Sequence, residues 1–165
     1  MNTDFATLAF SGGGLDRLEV GGQHLGSLPQ PGGAVTGNFA IGQLVVGQAG
    51  QVTNVMLADA IDNGHRNPTE ALYLNGSSSA NGLHILGGST LALDHLDLYT
   101  MDSGQWIHVN DLFTGGKTVI AYDQGYISLL SAVPEPGTWA MWAAGLLTVA
   151  GRQANRRRQA ASVRG

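Results

Sequence analysis

At 165 residues the chain has room for one domain, and it contains no cysteine, which excludes a disulfide framework, thiolate chemistry and cysteine-ligated metal. Its formal net charge of −4 hides an asymmetry: five of the 8 lysines and arginines (Arg152, Arg156, Arg157, Arg158, Arg164) follow Gly151, and all 12 acids precede it. Up to Ala150 the 12 acids face only Arg17, Arg66 and Lys117, a net charge of 3 − 12 = −9, which argues against nucleic acid as a partner of the body.

Met1 to Phe10 (MNTDFATLAF) has an aspartate at position 4, no basic residue and too short an apolar run for a secretory signal. Set beside the C-terminus described below, this leads to the expectation that Met1 is internal to a longer natural protein. Residues 11 to 42 are broken by Gly12-Gly13-Gly14, Gly21-Gly22, Pro29, Pro31-Gly32-Gly33 and Gly37. Between these breakers lie short apolar pulses at Leu15, Leu18 and Val20, at Leu25 and Leu28, and at Phe39 and Ile41, so no helix of ordinary length fits. The triple glycine lacks the following Lys-Ser/Thr of a phosphate cradle and reads as a turn.

Leu44 and Val46 alternate in one strand, and after the turn at Gly47 to Gly50 a second strand carries Thr53, Val55 and Leu57 on one face and Val52, Asn54 and Met56 on the other. Asp59 to Thr69 is a polar loop that holds His65 and Arg66. From Ala71 to Thr100 the pattern is nearly metrical: Leu72 and Leu74, Leu83 and Ile85, Leu91 and Leu93, and Leu96 and Leu98 form inward pairs between tight turns. Strands this short without intervening helices make either a meander of hairpins, for which Asn75-Gly76 and Asn81-Gly82 are suitable turns, or the coils of a β-solenoid. Small outward residues (Ser77, Ser78, Ser79, Thr90) favour the solenoid. Further strands are expected at Trp106 to Val109, Val119 to Ala121 and Tyr126 to Leu130, with Trp106, Phe113, Tyr122 and Tyr126 large enough to cover an end of the core.

No constellation in this body points to chemistry. His24, His65, His84, His95 and His108 are scattered, without metal-ligand spacing. His95 and Asp97 share a strand face, but Leu96 and Leu98 define the inward one, so both are expected in solvent. Asp94, Asp97 and Asp102 lack the GGxGxD repeat of calcium-binding β-rolls. Asp94, Asp97 and Asp111 would have to supply a polysaccharide hydrolase or lyase, with no nearby lysine or arginine to help. The serines at 77 to 79 have no GxSxG context. No catalytic, cofactor-binding or metal-ligating residue is expected, and a carbohydrate-active β-helix enzyme fragment is the alternative.

The end of the chain is different. Val133-Pro134-Glu135-Pro136 is stiff and extended, because each proline fixes its own φ and restrains the residue before it. Gly137 to Gly151 carries no charge, and the arginine cluster follows at once. An apolar run closed by arginines has the pattern of a membrane segment with its cytoplasmic flank. Fifteen residues span about 22 Å as a helix, short of a hydrocarbon core of about 30 Å unless 133–136 and snorkelling arginines extend it. The alternative is a terminal core helix of a soluble β-rich domain.

Pro134-Glu135-Pro136, the apolar run with Gly145-Leu146-Leu147 inside it, and the terminal arginines resemble the PEP-CTERM sorting signal of Gram-negative bacteria. The resemblance implies that the tripeptide is read just outside the inner membrane by exosortase, a membrane-embedded protease-transpeptidase. It further implies a span through Trp139, Met141, Trp142, Gly145, Leu146, Leu147 and Val149, and a cytoplasmic stop at Arg152, Arg156, Arg157 and Arg158. Last, it implies that the protein body is then released to the cell surface or exopolysaccharide matrix. Two tryptophans inside the span and seven residues after the arginines depart from the pattern. More loosely, GxLxVGxxxxV at 42–52 and the phrases NGLHILGGSTLAL and LDLYT resemble the passenger coils of autotransporter-like adhesins, which implies secretion and surface display. The expected organisation is a right-handed parallel β-solenoid body at 1–132, a sorting signal at 133–158 with its helix at 138–151, and a tail at 159–165.

Overall fold

Apolar pulses of two or three residues between glycines produce strands of three to six residues. The computed structural model describes residues 4–25, 33–61, 69–77 and 80–130. They belong to the first of two units, Met1–Ser131; the second, Ala132–Gly165, lies outside the described residues, and with it the expected helix at 138–151. The strands are β1 (Thr7–Phe10), β2 (Leu15–Glu19), β3 (Gln43–Val46), β4 (Asn54–Ala58), β5 (Ala71–Leu74), β6 (Leu83–Ile85), β7 (Thr90–Asp94), β8 (Asp97–Asp102), β9 (Gln105–His108), β10 (Val119–Tyr122) and β11 (Gly125–Leu129). A 3-10 turn at Val109–Leu112 is the one helical element among the described residues.

Three sheets result, with strand orders β1-β3-β6, β10-β11-β7-β4-β2 and β5-β8-β9. Inward residues stack in register from strand to strand. Asp16, Val55, Leu91 and Ile127 form one column across the five-stranded sheet, and Leu18, Leu57, Leu93 and Leu129 the next. Leu8, Leu44 and Leu83, with Phe10, Val46 and Ile85 beside them, do the same across the first sheet. Leu44, Val46, Val55, Leu57, Ile85, Leu91 and Ile127 are fully buried, so these columns are the core. Leu72, Leu74, Leu93, Leu96 and Leu98 join them, in agreement with the inward pairs expected from the period of two. Of the aromatics expected to cover the core, Trp106 is buried, Phe113 and Tyr122 pack against it, and Tyr126 stays half exposed.

The sheets correct the expected fold class. They are mixed: β8 with β9 and β10 with β11 are antiparallel, whereas the other six pairings are parallel. Among the described residues neither the uniformly parallel, closed solenoid nor its alternative, the antiparallel meander, is formed. Local turn chemistry is the reason. Ser103 (φ 51°) and Gly104 (φ 80°) reverse β8 into β9, and Asp123 (φ 51°) begins the two-residue reversal of β10 into β11. Positive φ matches the twist of a tight hairpin, which then pairs with its own neighbour.

The two Asn-Gly pairs do something else. Asn81 Oδ1 accepts the Ser103 N–H at 2.9 Å and so braces the β8–β9 turn. Asn75 is buried at 5% exposure, and its amide acts as a three-way tie. Its Oδ1 accepts the Val35 N–H (2.7 Å), while its Nδ2 donates to the carbonyls of Val35 (2.9 Å) and Asp4 (2.8 Å). Asn75→Leu keeps the branching of the side chain, adds some bulk, and leaves those backbone groups without their partner. Because each buried unsatisfied group costs about 1–3 kcal/mol, the variant should lose about 3 kcal/mol in urea unfolding. A loss well under about 1 kcal/mol would mean that water serves the same groups.

Candidate functional site

The β5-β8-β9 sheet is covered on both faces. Leu72, Leu74 and Leu98 turn to the main core, while Ala71, Tyr73, Tyr99, Met101 and Trp106 form a second buried cluster with Val35 and Ala40. Register brings aromatic rings together on this outer side: Tyr73 of β5 lies opposite Tyr99 of β8, which lies opposite His108 of β9. Tyr73 and Tyr99 stack at 4.9 Å, and Tyr99 and His108 at 4.5 Å. Trp106 meets Tyr73 edge-on at 6.1 Å, and His24 meets Tyr99 in the same way at 5.7 Å. Such stacked and edge-on contacts add about 0.5–1.5 kcal/mol each beyond area burial.

Asp97, at the start of β8, gathers the polar groups at the end of this ladder. Its Oδ1 lies 2.8 Å from His108 Nε2, and its Oδ2 accepts the Thr69 hydroxyl at 2.7 Å and lies 3.4 Å from His24 Nε2. His108 Nδ1 faces Asp111 Oδ1 at 3.0 Å, and the Tyr99 hydroxyl meets His24 Nε2 at 2.8 Å. Ionised carboxylates only accept hydrogen bonds, so both contacts of His108 are hydrogen bonds only when its ring carries both protons. The cluster draws the segment after β2, the approach to β5 and both strands of the hairpin onto one carboxylate, and His108 links it on to Asp111 of the 3-10 turn. With both Asp97 oxygens already engaged, its chemistry is that of a hydrogen-bonded clasp. Among the described residues no group of three or more histidines and acids is arranged to hold a metal ion.

Burial, then the negative charges of Asp97, Tyr73 and Asp111, push the Tyr99 phenol up to about 12. Burial also raises Tyr73, against the opposing hydrogen bond from the Leu25 N–H, with a smaller push from Asp97. Tyr122 is raised by burial and then by the charge and hydrogen bond of Asp102.

The expectation that His95 and Asp97 share a solvated face needs correction at one of the two. His95 is exposed beside Asp94 (2.6 Å), with its backbone at φ 57°, whereas Asp97 is mostly buried in the clasp. Asp94 and Asp111 are drawn into contacts with His95 and His108 and do not converge with Asp97 on an open groove. His84 lies 3.5 Å from Asp123, and Asp102 accepts the Ser103 hydroxyl. Ser77 bridges to Ala80. His65, Ser78 and Ser79 lie outside the described residues, as do Pro134, Glu135 and Pro136, the span residues from Trp139 to Val149, and Arg152, Arg156, Arg157 and Arg158. The aromatic ladder was not anticipated, although its signal is present. Leu72-Tyr73-Leu74 and Leu98-Tyr99-Thr100 place a tyrosine at the same outward position of two strands.

Two cavities flank these elements. One of about 360 Å³ abuts Asp97 and is lined by Thr69, His95, Leu96, Asn110, Leu129 and Leu130, among others. The larger, about 800 Å³, opens between β1 and β2, with Leu8, Leu18, Val20, Ile41 and Leu72 as its apolar lining. Among the described residues no helix is long and apolar enough to cross a membrane. The chain matches no protein-family model, no curated protein and no solved structure.

Folding holds Tyr99 as the neutral phenol, so its contribution to stability is intact below pH 10 and is lost as the pH rises through about 12. An alkaline titration followed by phenolate absorbance should show unfolding in that interval. Tyr99→Phe, which retains the ring and loses the contact with His24, should be less stable by about 1 kcal/mol at neutral pH. Its alkaline transition should also be altered. Equal stability and an identical transition in the variant would remove Tyr99 from the clasp.

Proposed function

We propose that the chain is a non-catalytic protein of the cell surface or exopolysaccharide matrix, directed there by its C-terminal segment. The observation that carries this reading is the uninterrupted succession of Pro134-Glu135-Pro136, a charge-free run from Gly137 to Gly151, and the arginines at 152 and 156–158. Each part has a separate physical role. The prolines hold an extended strand that a processing enzyme can bind, and Glu135 is the one charge it can read there. The apolar run partitions into the inner membrane, and the arginines hold its end in the cytoplasm. The partner is an exosortase-type membrane protease-transpeptidase, and the inner membrane is a transient station. The body is the cargo. Its histidine–aspartate contacts support a scaffold role, since Asp97 and His108 are spent on one another and on Thr69, His24 and Asp111.

The test uses a host with a working exosortase and the chain fused to a functional signal peptide. Glu135→Ala leaves the apolar run untouched, so the protein should insert, escape processing and accumulate uncleaved in the inner membrane. Replacing Arg156, Arg157 and Arg158 together should instead disturb orientation and retention, because basic residues near the end of a span set its topology. Immunoblots of membrane, soluble and released fractions distinguish these outcomes. Wild-type protein that stays full length and soluble in the cytoplasm would overturn the proposal.

A further inference from the structure

The three sheets present different outer faces. That of β5-β8-β9 is covered by the second buried cluster. On β1-β3-β6 the polar side chains are spent on one another and on the backbone: the Thr7 hydroxyl donates to Gln43 Oε1 at 3.1 Å, and Gln43 Nε2 donates to the Asn81 carbonyl at 3.1 Å. The five-stranded sheet differs from both. Its register carries one outward row through Asn54, Thr90, Tyr126 and Ala121, across β4, β7, β11 and β10. The next row runs through Met56, Ala92, Ser128 and Val119.

The polar groups of this face are unspent. Asn54 and Tyr126 are exposed, and Thr90 and Ser128 partly so. Among the described residues, none of their side-chain amide or hydroxyl groups has a hydrogen-bond partner within the protein. Tyr126, 48% exposed, adds an aromatic ring to the same row, and Ala92 and Ala121 keep the ground beside it low. Both rows are uncharged, on a body whose net charge is −9 up to Ala150. The charges at their borders are already engaged: Arg17 pairs with Glu19 at 3.4 Å on β2, and Asp94 lies 2.6 Å from His95 at the end of β7.

We propose that this face binds an uncharged, extended polysaccharide laid across the strands, which rests on the surface-or-matrix reading above and names what the body holds there. Neighbouring strands lie about 4.8 Å apart, close to the length of one sugar unit in an extended β-1,4-linked chain. Successive sugars therefore meet one group per strand: the Asn54 amide, the Thr90 hydroxyl, then the ring and hydroxyl of Tyr126. The amide and hydroxyls bond to sugar hydroxyls as both donors and acceptors, and the C–H face of a pyranose packs on the Tyr126 ring. Charge selects the uncharged polymer, because a body at −9 repels a polyanion of any kind, a uronic-acid glycan included. Side-chain size selects against a protein partner. Protein interfaces are anchored by large aromatic and arginine side chains seated in pockets, and Ala92, Ala121 and Ser128 supply neither anchor nor pocket.

The test mixes full-length protein in detergent with three insoluble β-1,4-linked glycans (amorphous cellulose, mannan and chitin) and, as the polyanion, with alginate beads. Depletion of the supernatant is measured. Wild type should bind at least one uncharged glycan saturably and leave alginate alone. Tyr126→Ala should weaken that binding about tenfold, as expected for the loss of one aromatic anchor, whereas Tyr126→Phe keeps the ring and most of the affinity. Asn54→Ala, which removes an exposed amide that the fold does not use, should also bind more weakly. Phe5→Ala removes a 69% exposed ring that lies off this face and should bind as wild type does. Urea unfolding of each variant should match wild type. Wild type that binds none of the three glycans, or binds alginate equally well, would overturn the proposal. So would Tyr126→Ala and Asn54→Ala that bind like wild type, or Phe5→Ala that loses as much as Tyr126→Ala. Exosortase takes no part in this assay, so absent glycan binding with normal processing and release in the host overturns this proposal alone. Glycan binding by a protein that stays full length in the cytoplasm overturns the sorting reading alone.

Discussion

In-register stacking of like-sized apolar side chains is the constraint from which the rest of the body follows. Four-residue strands bury too little surface singly, and each fully buried Val, Leu or Ile contributes about 1.5–3 kcal/mol. The columns through Val55, Leu91 and Ile127, and through Leu44 and Leu83, gain that energy by repeating one residue class at one height. Everything between the strands serves to bring the chain back at the same height. Gly82 shows how tightly this is done, since a Cβ there would collide with the Leu74 carbonyl and crowd Thr100 Oγ1.

The outer side of β5-β8-β9 adds a second requirement. Val35, Ala40 and the residues around His24 cover this sheet, so its backbone and its aromatic ladder are shielded from both sides. A polar group placed there must find a partner within the protein. Asp97 meets that demand by taking Thr69 and two histidines, and Tyr99 by meeting His24. These contacts fasten the covering segments to the sheet.

This division also explains what could be read from the residues alone. Leu72 and Leu74, Leu83 and Ile85, and Leu91 and Leu93 were legible because alternation is a local signal. Which strand neighbours which was not, since a pulse such as Leu-His-Ile fits the edge of any sheet. Asn75-Gly76 carried the composition of a hairpin, but the buried amide is required by backbone groups 40 and 71 residues away, and no local pattern announces that. Ser103-Gly104 and Asp123-Gln124 were weaker turn signals that reverse the chain all the same, because the strands beside them can pair at once. Asp97 was misplaced for a related reason. An outward position on a strand is solvated only if nothing folds over it, and the segments that do so come from distant parts of the chain.

The reach of Asn75 has a consequence for synthesis. Translation adds about 5–20 residues per second, so the 40 residues that separate Val35 from Asn75 represent about 2–8 s of elongation. During that interval the backbone at Val35 and Asp4 has no amide to bind, and Leu8 and Leu44 have no Leu83 to complete their column. The segment before Asn75 therefore waits for this tie, although β1 with β3 and β2 with β4, which lie wholly within it, have their strand partners already. Its high glycine content suits that wait, because it keeps early segments from settling into rival strands before the tie emerges.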